Sequence, residues 1–184
     1  MRKFCFAYPQ TKAKRGREMK QIQAPHLIPY DKLARYVFLA GSIEMGNAEK
    51  WQDKIIKELR DSIWTILNPR RDDWDSSWEQ TVDNDKFVEQ VSWELEGMER
   101  AEKIVMYFDP NTKSPITLLE LGLWANKEGG KLIVCCPFGF WRKGNVDIVC
   151  ARYRVTQVNA LSDIIRILKV YKSTPKPKLK EVEK

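Results

Sequence analysis

Five short apolar runs, each followed by a segment of helical periodicity, constrain this chain more than any other feature. The runs are VFLAG (37–41), WTILNP (64–69), KIVMYF (103–108), KLIVCC (131–136) and YRVTQV (153–158). Between and after them the apolar spacing predicts helices over Ala48–Leu59, about Asp85–Arg100 and 115–128, a short helix after Gly144, and a closing helix over Leu161–Val170. Strands that are apolar throughout need cover on both faces, and alternation with helices makes a parallel sheet the natural arrangement. The expected fold is α/β: a flavodoxin-like doubly wound sheet of five parallel strands in the order 2-1-3-4-5, with helices on both faces. With 184 residues and 43% apolar content, one domain with a full core is expected. In such sheets ligands bind beyond the carboxyl ends of the strands. That selects the loops at 41–46, 69–80, 109–115 and 137–145.

The domain is expected to span 37–171. Residues 1–36, turn-rich with Pro9, Pro25 and Pro29, read as a basic extension, and 172–184 as a disordered Lys/Pro-rich tail. Residues 1–20 carry seven Lys/Arg against Glu18, and the tail carries five Lys against Glu181 and Glu183. Together they exceed the whole-chain net charge of +7, so the stretch between them is slightly acidic. The basicity belongs to solvated ends, so nucleic-acid contact by those ends is not the favoured reading, and the body carries no basic patch with a recognisable nucleic-acid motif. One His and four Cys without C-x-x-C spacing disfavour a metal site, and Cys135 and Cys136 read as buried thiols. No secretory signal and no 18-residue apolar span are seen, so a soluble cytoplasmic protein without membrane contact is expected.

Two acids stand out. In KSPITLLELGLW (113–124), Ser114 reads as an N-cap and Pro115 as the first helical residue. Helical spacing then puts Glu120 in the middle of the apolar stripe, between Ile116 and Leu123 on one side and Trp124 on the other. An acid placed there requires a partner or a pocket. In QVSWELEGMER (90–100), Glu94 lies at the edge of an expected buried stripe of Phe87, Val88, Val91, Leu95 and Met98, while Glu96 points away.

The loops offer further candidates. GSIEMG (41–46), with Gly41 and Ser42, is either a plain strand-to-helix turn or a seat for a small anionic or sugar-like ligand. It is neither GxGxxG nor a Walker loop, and Glu44 argues against a phosphate. RRDDWDSSWEQ (70–80) offers Trp faces beside hydrogen-bonding groups, suited to a planar heterocycle or to pinning a solvated loop. Asn145, after Gly144, is either a helix cap or a hydroxyl ligand.

Taken together, FLAGSIEMG, LNPRRDDW, QVSWELEGMERAEKIVMYF, SPITLLELG and RKGNVDIV resemble a nucleoside 2-deoxyribosyltransferase-like protein over about residues 37–160. The GSI after the first strand is also similar to the related deoxynucleoside-monophosphate N-glycosidases. The resemblance implies an enzyme that cleaves the N-glycosidic bond of 2′-deoxynucleosides and transfers deoxyribose to another base without metal or organic cofactor. It makes Glu120 the nucleophile that forms a covalent glycosyl intermediate, and Glu94 the acid that protonates the leaving base. It places Asn145 against the sugar hydroxyls of a neighbouring subunit's site, which implies a homo-oligomer. Ser114 stands where several transferases carry a base-contacting Asp. Base contacts are then expected from the 70–80 loop, with Asp73 and Trp74 as candidates. The alternatives are a hydrolase of nucleosides or nucleoside monophosphates, and a non-catalytic nucleotide-binding module.

Overall fold

The computed structural model describes residues 21–31, 33–43 and 48–171. Six strands form one parallel sheet: β1 (Gln21–Gln23), β2 (Arg35–Gly41), β3 (Trp64–Asn68), β4 (Lys103–Tyr107), β5 (Leu132–Cys135) and β6 (Thr156–Val158). Their order is β1-β3-β2-β4-β5-β6. The five expected strands therefore stand in the expected order, and a sixth is added beside β3 at the edge. That edge strand corrects the reading of residues 21–36 as an extension. Gln21 to Gln23 pair with Ile66 to Asn68, and Ala24 and Ile28 are buried in the main core.

Five helices cover the sheet: α1 (Trp51–Glu58), α2 (Asp85–Arg100), α3 (Pro115–Glu128), α4 (Lys143–Tyr153) and α5 (Leu161–Val170). Phe38, Met106 and Val134 pack with Trp93, Leu121 and Trp124 on one face. Leu39, Val105 and Ile133 pack with Trp51, Ile55 and Ile164 on the other. Neighbouring strand residues thus feed opposite cores, which is why these strands read as unbroken apolar runs. YRVTQV is divided between two elements: Tyr153 ends α4, Arg154 takes a left-handed conformation, and only Thr156–Val158 is strand.

Three indole N–H groups tie helices and loops to this frame. Trp51 donates to the Ser42 carbonyl at 3.0 Å, Trp64 to Leu168 at 3.0 Å and Trp93 to His26 at 2.8 Å. Each Trp buries apolar area while satisfying its polar atom. The chain reverses its direction of travel across the sheet at β2, whose neighbours are β3 and β4. Gly41 closes β2 at φ +142°, where a Cβ would lie 2.5 Å from the Tyr107 carbonyl oxygen. Only glycine fits that close approach of the two strand ends. Among the described residues, no helix is long and apolar enough to cross a membrane.

Candidate active site

The site lies at the carboxyl ends of β2, β3 and β4, on the face covered by α2 and α3. Helix α2 is started by Asn84, whose side chain accepts hydrogen bonds from the Lys86 and Phe87 amides. Its buried face is Gln90, Trp93, Gly97 and Met98. The expected stripe through Phe87, Val88, Val91 and Leu95 is therefore displaced: Leu95 is exposed and the other three are half-buried. The reason is Gly97, which lets Phe38 press against the helix. A Cβ there would meet the Phe38 ring at 2.7 Å. This turns Gln90 and Glu94 inward.

Pro115 does open α3, but Ser114 does not cap it. Ser114 has φ +48° and makes no capping hydrogen bond. The buried face of α3 is Thr117, Leu121, Trp124 and Ala125. Ile116 and Leu123, read as part of the apolar stripe, face outward with Leu119, at 58%, 50% and 68% exposure. Glu120 accordingly sits where the buried face meets an exposed apolar one, rather than in the middle of the core stripe.

Glu94 and Glu120 are brought together across these two helices. Burial pushes Glu94 up to about 7, while a hydrogen bond from Gln90 pulls the other way. Burial, and then the charge of Glu94, push Glu120 up to about 8. The Gln90 Nε2 donates to Glu94 Oε1 at 2.7 Å and to the Pro69 carbonyl at 2.9 Å, linking the acid to the end of β3. The Glu120 carboxyl receives no hydrogen bond from any described residue. Two buried, raised carboxyls on α2 and α3, one held by Gln90 and one with no hydrogen bond from a described residue, are candidates for acid–base or nucleophilic chemistry.

Ser42 and Ser114 join the site through a buried hydroxyl cluster. Ser42 Oγ lies 2.5 Å from Ser114 Oγ, and Thr112 Oγ1 lies 2.9 Å from the first and 2.7 Å from the second. The Asp109 amide donates to Ser42 Oγ at 2.8 Å. These contacts lock the loop after β4 to the end of β2 and so fix where α3 begins. Glu44 lies outside the described residues.

The 70–80 loop is organised by Arg71. Its guanidinium donates to Asp73 at 2.8 and 2.9 Å and to Glu89 at 3.0 Å, and it stacks on Trp78 at 5.3 Å. Asp73 is thereby held down at about 2, chiefly by the Arg71 hydrogen bonds. Trp74 packs on Trp78 at 5.2 Å, and its indole N–H is buried with no hydrogen-bond partner. Asp73 is thus committed to its arginine, while Trp74 keeps a donor to offer. A shallow hollow lined by Trp78, Asp83 and Lys86 sits at the start of α2 and holds neither acid.

Asn145 is no cap. It lies in the first turn of α4, whose N-cap is Arg142, and its side chain is exposed. The buried thiols of Cys135 and Cys136 are pushed up to about 12 and about 11, mainly by burial, which makes them inert. Gln90 and Thr112 were missed from the sequence. Gln90 was visible four residues before Glu94 and three before Trp93, on the face that Gly97 marks.

Comparison with known proteins bears on the family and the fold. The sequence model of the family described as nucleoside 2-deoxyribosyltransferase like matches residues 34–140. A crystal structure titled as a conserved protein from Enterococcus faecalis V583 superimposes with a TM-score of 0.52 at 12% identity, covering 74% of this chain and 98% of that one. At that identity it speaks for the fold alone. No curated protein matches the chain.

Proposed function

The chain belongs to the nucleoside 2-deoxyribosyltransferase-like family, and on that premise we propose that it exchanges the base of 2′-deoxynucleosides by double displacement. The observation that carries this reading is the pair of acids itself: Glu94 on α2 and Glu120 on α3 are both buried with raised pKa, and the charge of the first acts on the second. In the first half-reaction the Glu120 carboxylate forms a bond to C1′. The bonding pair of the C1′–N bond leaves with the base, which takes the proton of Glu94. In the second, the nitrogen of an incoming base attacks C1′ from the original face, Glu120 departs, and Glu94 takes the proton from the acceptor. Two inversions retain the anomeric configuration.

In the free protein burial raises both carboxyls, Glu120 included, which opposes the ionised form that attack requires. Donors to the Glu120 carboxylate must therefore arrive with the substrate or from a second copy of the chain. The exposed Asn145 suits that second role, and the outward apolar face of Ile116, Leu119 and Leu123 suits contact with another copy. In this arrangement Trp74 contributes base stacking, with Gly41, Ser42 and Ser114 shaping the floor beneath the sugar.

Incubation with deoxyinosine, with and without adenine, tests the proposal. Accumulation of deoxyadenosine supports transfer. Equal release of hypoxanthine with or without adenine would instead make the protein a hydrolase, and no release of base from any deoxynucleoside would leave only a binding module.

A further inference from the structure

Gln90 is 4% exposed on α2, in contact with the proposed acid, and no step of the mechanism above uses it. An amide has two N–H donors and one acceptor oxygen. Both donor contacts of Gln90 are occupied: one by the Pro69 carbonyl at 2.9 Å, the other by Glu94 Oε1 at 2.7 Å. Its oxygen Oε1 is buried without a hydrogen-bond partner among the described residues. The Pro69 carbonyl decides which end of the amide is which, because turning the amide over would set two carbonyl oxygens against each other. The orphaned oxygen is a standing penalty for holding this orientation.

The consequence falls on Glu94. A carboxyl oxygen that accepts an N–H cannot also carry the acidic proton pointing along the same line. We propose that Gln90 is a positioning residue that reserves Glu94 Oε1 as an acceptor and so places the acidic proton on Oε2. This inference rests on the reading of Glu94 as the acid of the site. During cleavage the Oε2 proton passes to the leaving nitrogen as the C1′–N pair departs, and the carboxylate formed keeps its Gln90 hydrogen bond on Oε1. In the return step Oε2 accepts the proton from the incoming base. Gln90 supports the charged form while burial supports the neutral one, so the same group is able to act as acid and then as base. The ionisable group that faces Glu94 from the neighbouring helix α3 is Glu120, which the charge of Glu94 raises. Within α2, Glu96 is paired with Arg100 and Glu89 with Arg71.

The experiment is a carboxyl-carbon NMR titration of the full chain labelled in its glutamates, with Glu94 assigned by loss of its signal in E94Q. In Q90M, which keeps length and removes both donors, the Glu94 midpoint should rise by about one unit. In the same variant base release should fall at least about tenfold in kcat with KM little changed, and the alkaline limb of its pH profile, which reports loss of the Glu94 proton, should move to higher pH. Q90L, which likewise lacks both donors and adds no charge, serves if Q90M fails to fold, and should shift the midpoint in the same direction. An unchanged Glu94 midpoint in a folded Gln90 variant overturns the proposal. The titration needs no turnover, so a wild-type protein without activity would sink the functional reading and leave the role of Gln90 to be decided by the midpoint.

Discussion

The charge of Glu94 on α2 raises the pKa of Glu120 on α3, so the two acids share one electrostatic site although 26 positions separate them in the chain. Each is carried by the helix that follows a strand of the switch region, and each is turned inward by a neighbour: Glu94 by Gly97 against Phe38, Glu120 by the buried face of Leu121 and Trp124. The arrangement opposes stability, as functional acids in a desolvated cleft generally do.

That opposition has a sign. Both folded-state values, about 7 and about 8, lie above the unfolded range of about 4.3. Between these limits the folded protein binds more protons than the unfolded one, so stability falls as pH rises from about 4 through 8. E120Q should therefore gain on the order of 2 kcal/mol over wild type at pH 8.5 and nothing at pH 4, read from urea midpoints. A variant less stable than wild type at pH 8.5 would contradict the burial of this charge.

Asn145 is expected to serve the site of another copy. N145A and E120Q should each be folded and inactive, and mixing the two should restore a measurable fraction of base exchange, because some mixed sites carry both intact residues. L119E, which charges the outward face of α3, should shift the mass in solution to that of a monomer and abolish exchange. A mixture that stays inactive while both variants are oligomeric would assign Asn145 to its own subunit or to no site.

Two glycines couple the fold to the site. G97A drives a Cβ to 2.7 Å from the Phe38 ring and should cost about 1–3 kcal/mol and lower exchange per folded molecule, because the helix that carries Gln90 and Glu94 must shift. G41A combines φ +142° with a 2.5 Å approach to the Tyr107 carbonyl, so neither backbone nor side chain has room. It should lose both stability and activity, because the strand end that carries Ser42 must move. Wild-type activity per folded molecule in G41A would remove Gly41 from the site.

Helices α2, α3 and α5 were legible to the residue, because Asn84, Pro115 and the Gly129–Gly130 pair punctuate the pattern. Strand β1 was not: QIQ offers one apolar side chain, and pairing along one edge needs no more. The run YRVTQV misled because Tyr153 continues a helix whose apolar spacing is weak. Periodicity places both acids on helices, but it does not say which apolar face turns inward. On α3 the answer depends on Thr117 and Trp124 meeting the core while Ile116 and Leu119 stay outside, and on α2 it depends on Phe38 finding Gly97. Such choices are made by packing between distant segments, which a local window does not contain. The hydroxyl cluster of Ser42, Thr112 and Ser114 was hidden for the same reason, since 72 positions separate its two serines.

The most direct measurement of the central claim is peptide mass spectrometry of protein quenched in acid during turnover of a 2′-deoxynucleoside carrying fluorine at C2′, which slows breakdown of a glycosyl ester. The account predicts a deoxyfluororibosyl mass on the peptide containing Glu120, absent in E120Q. A protein that turns the substrate over with no adduct at Glu120, or an E120Q that keeps near-normal turnover, would contradict it.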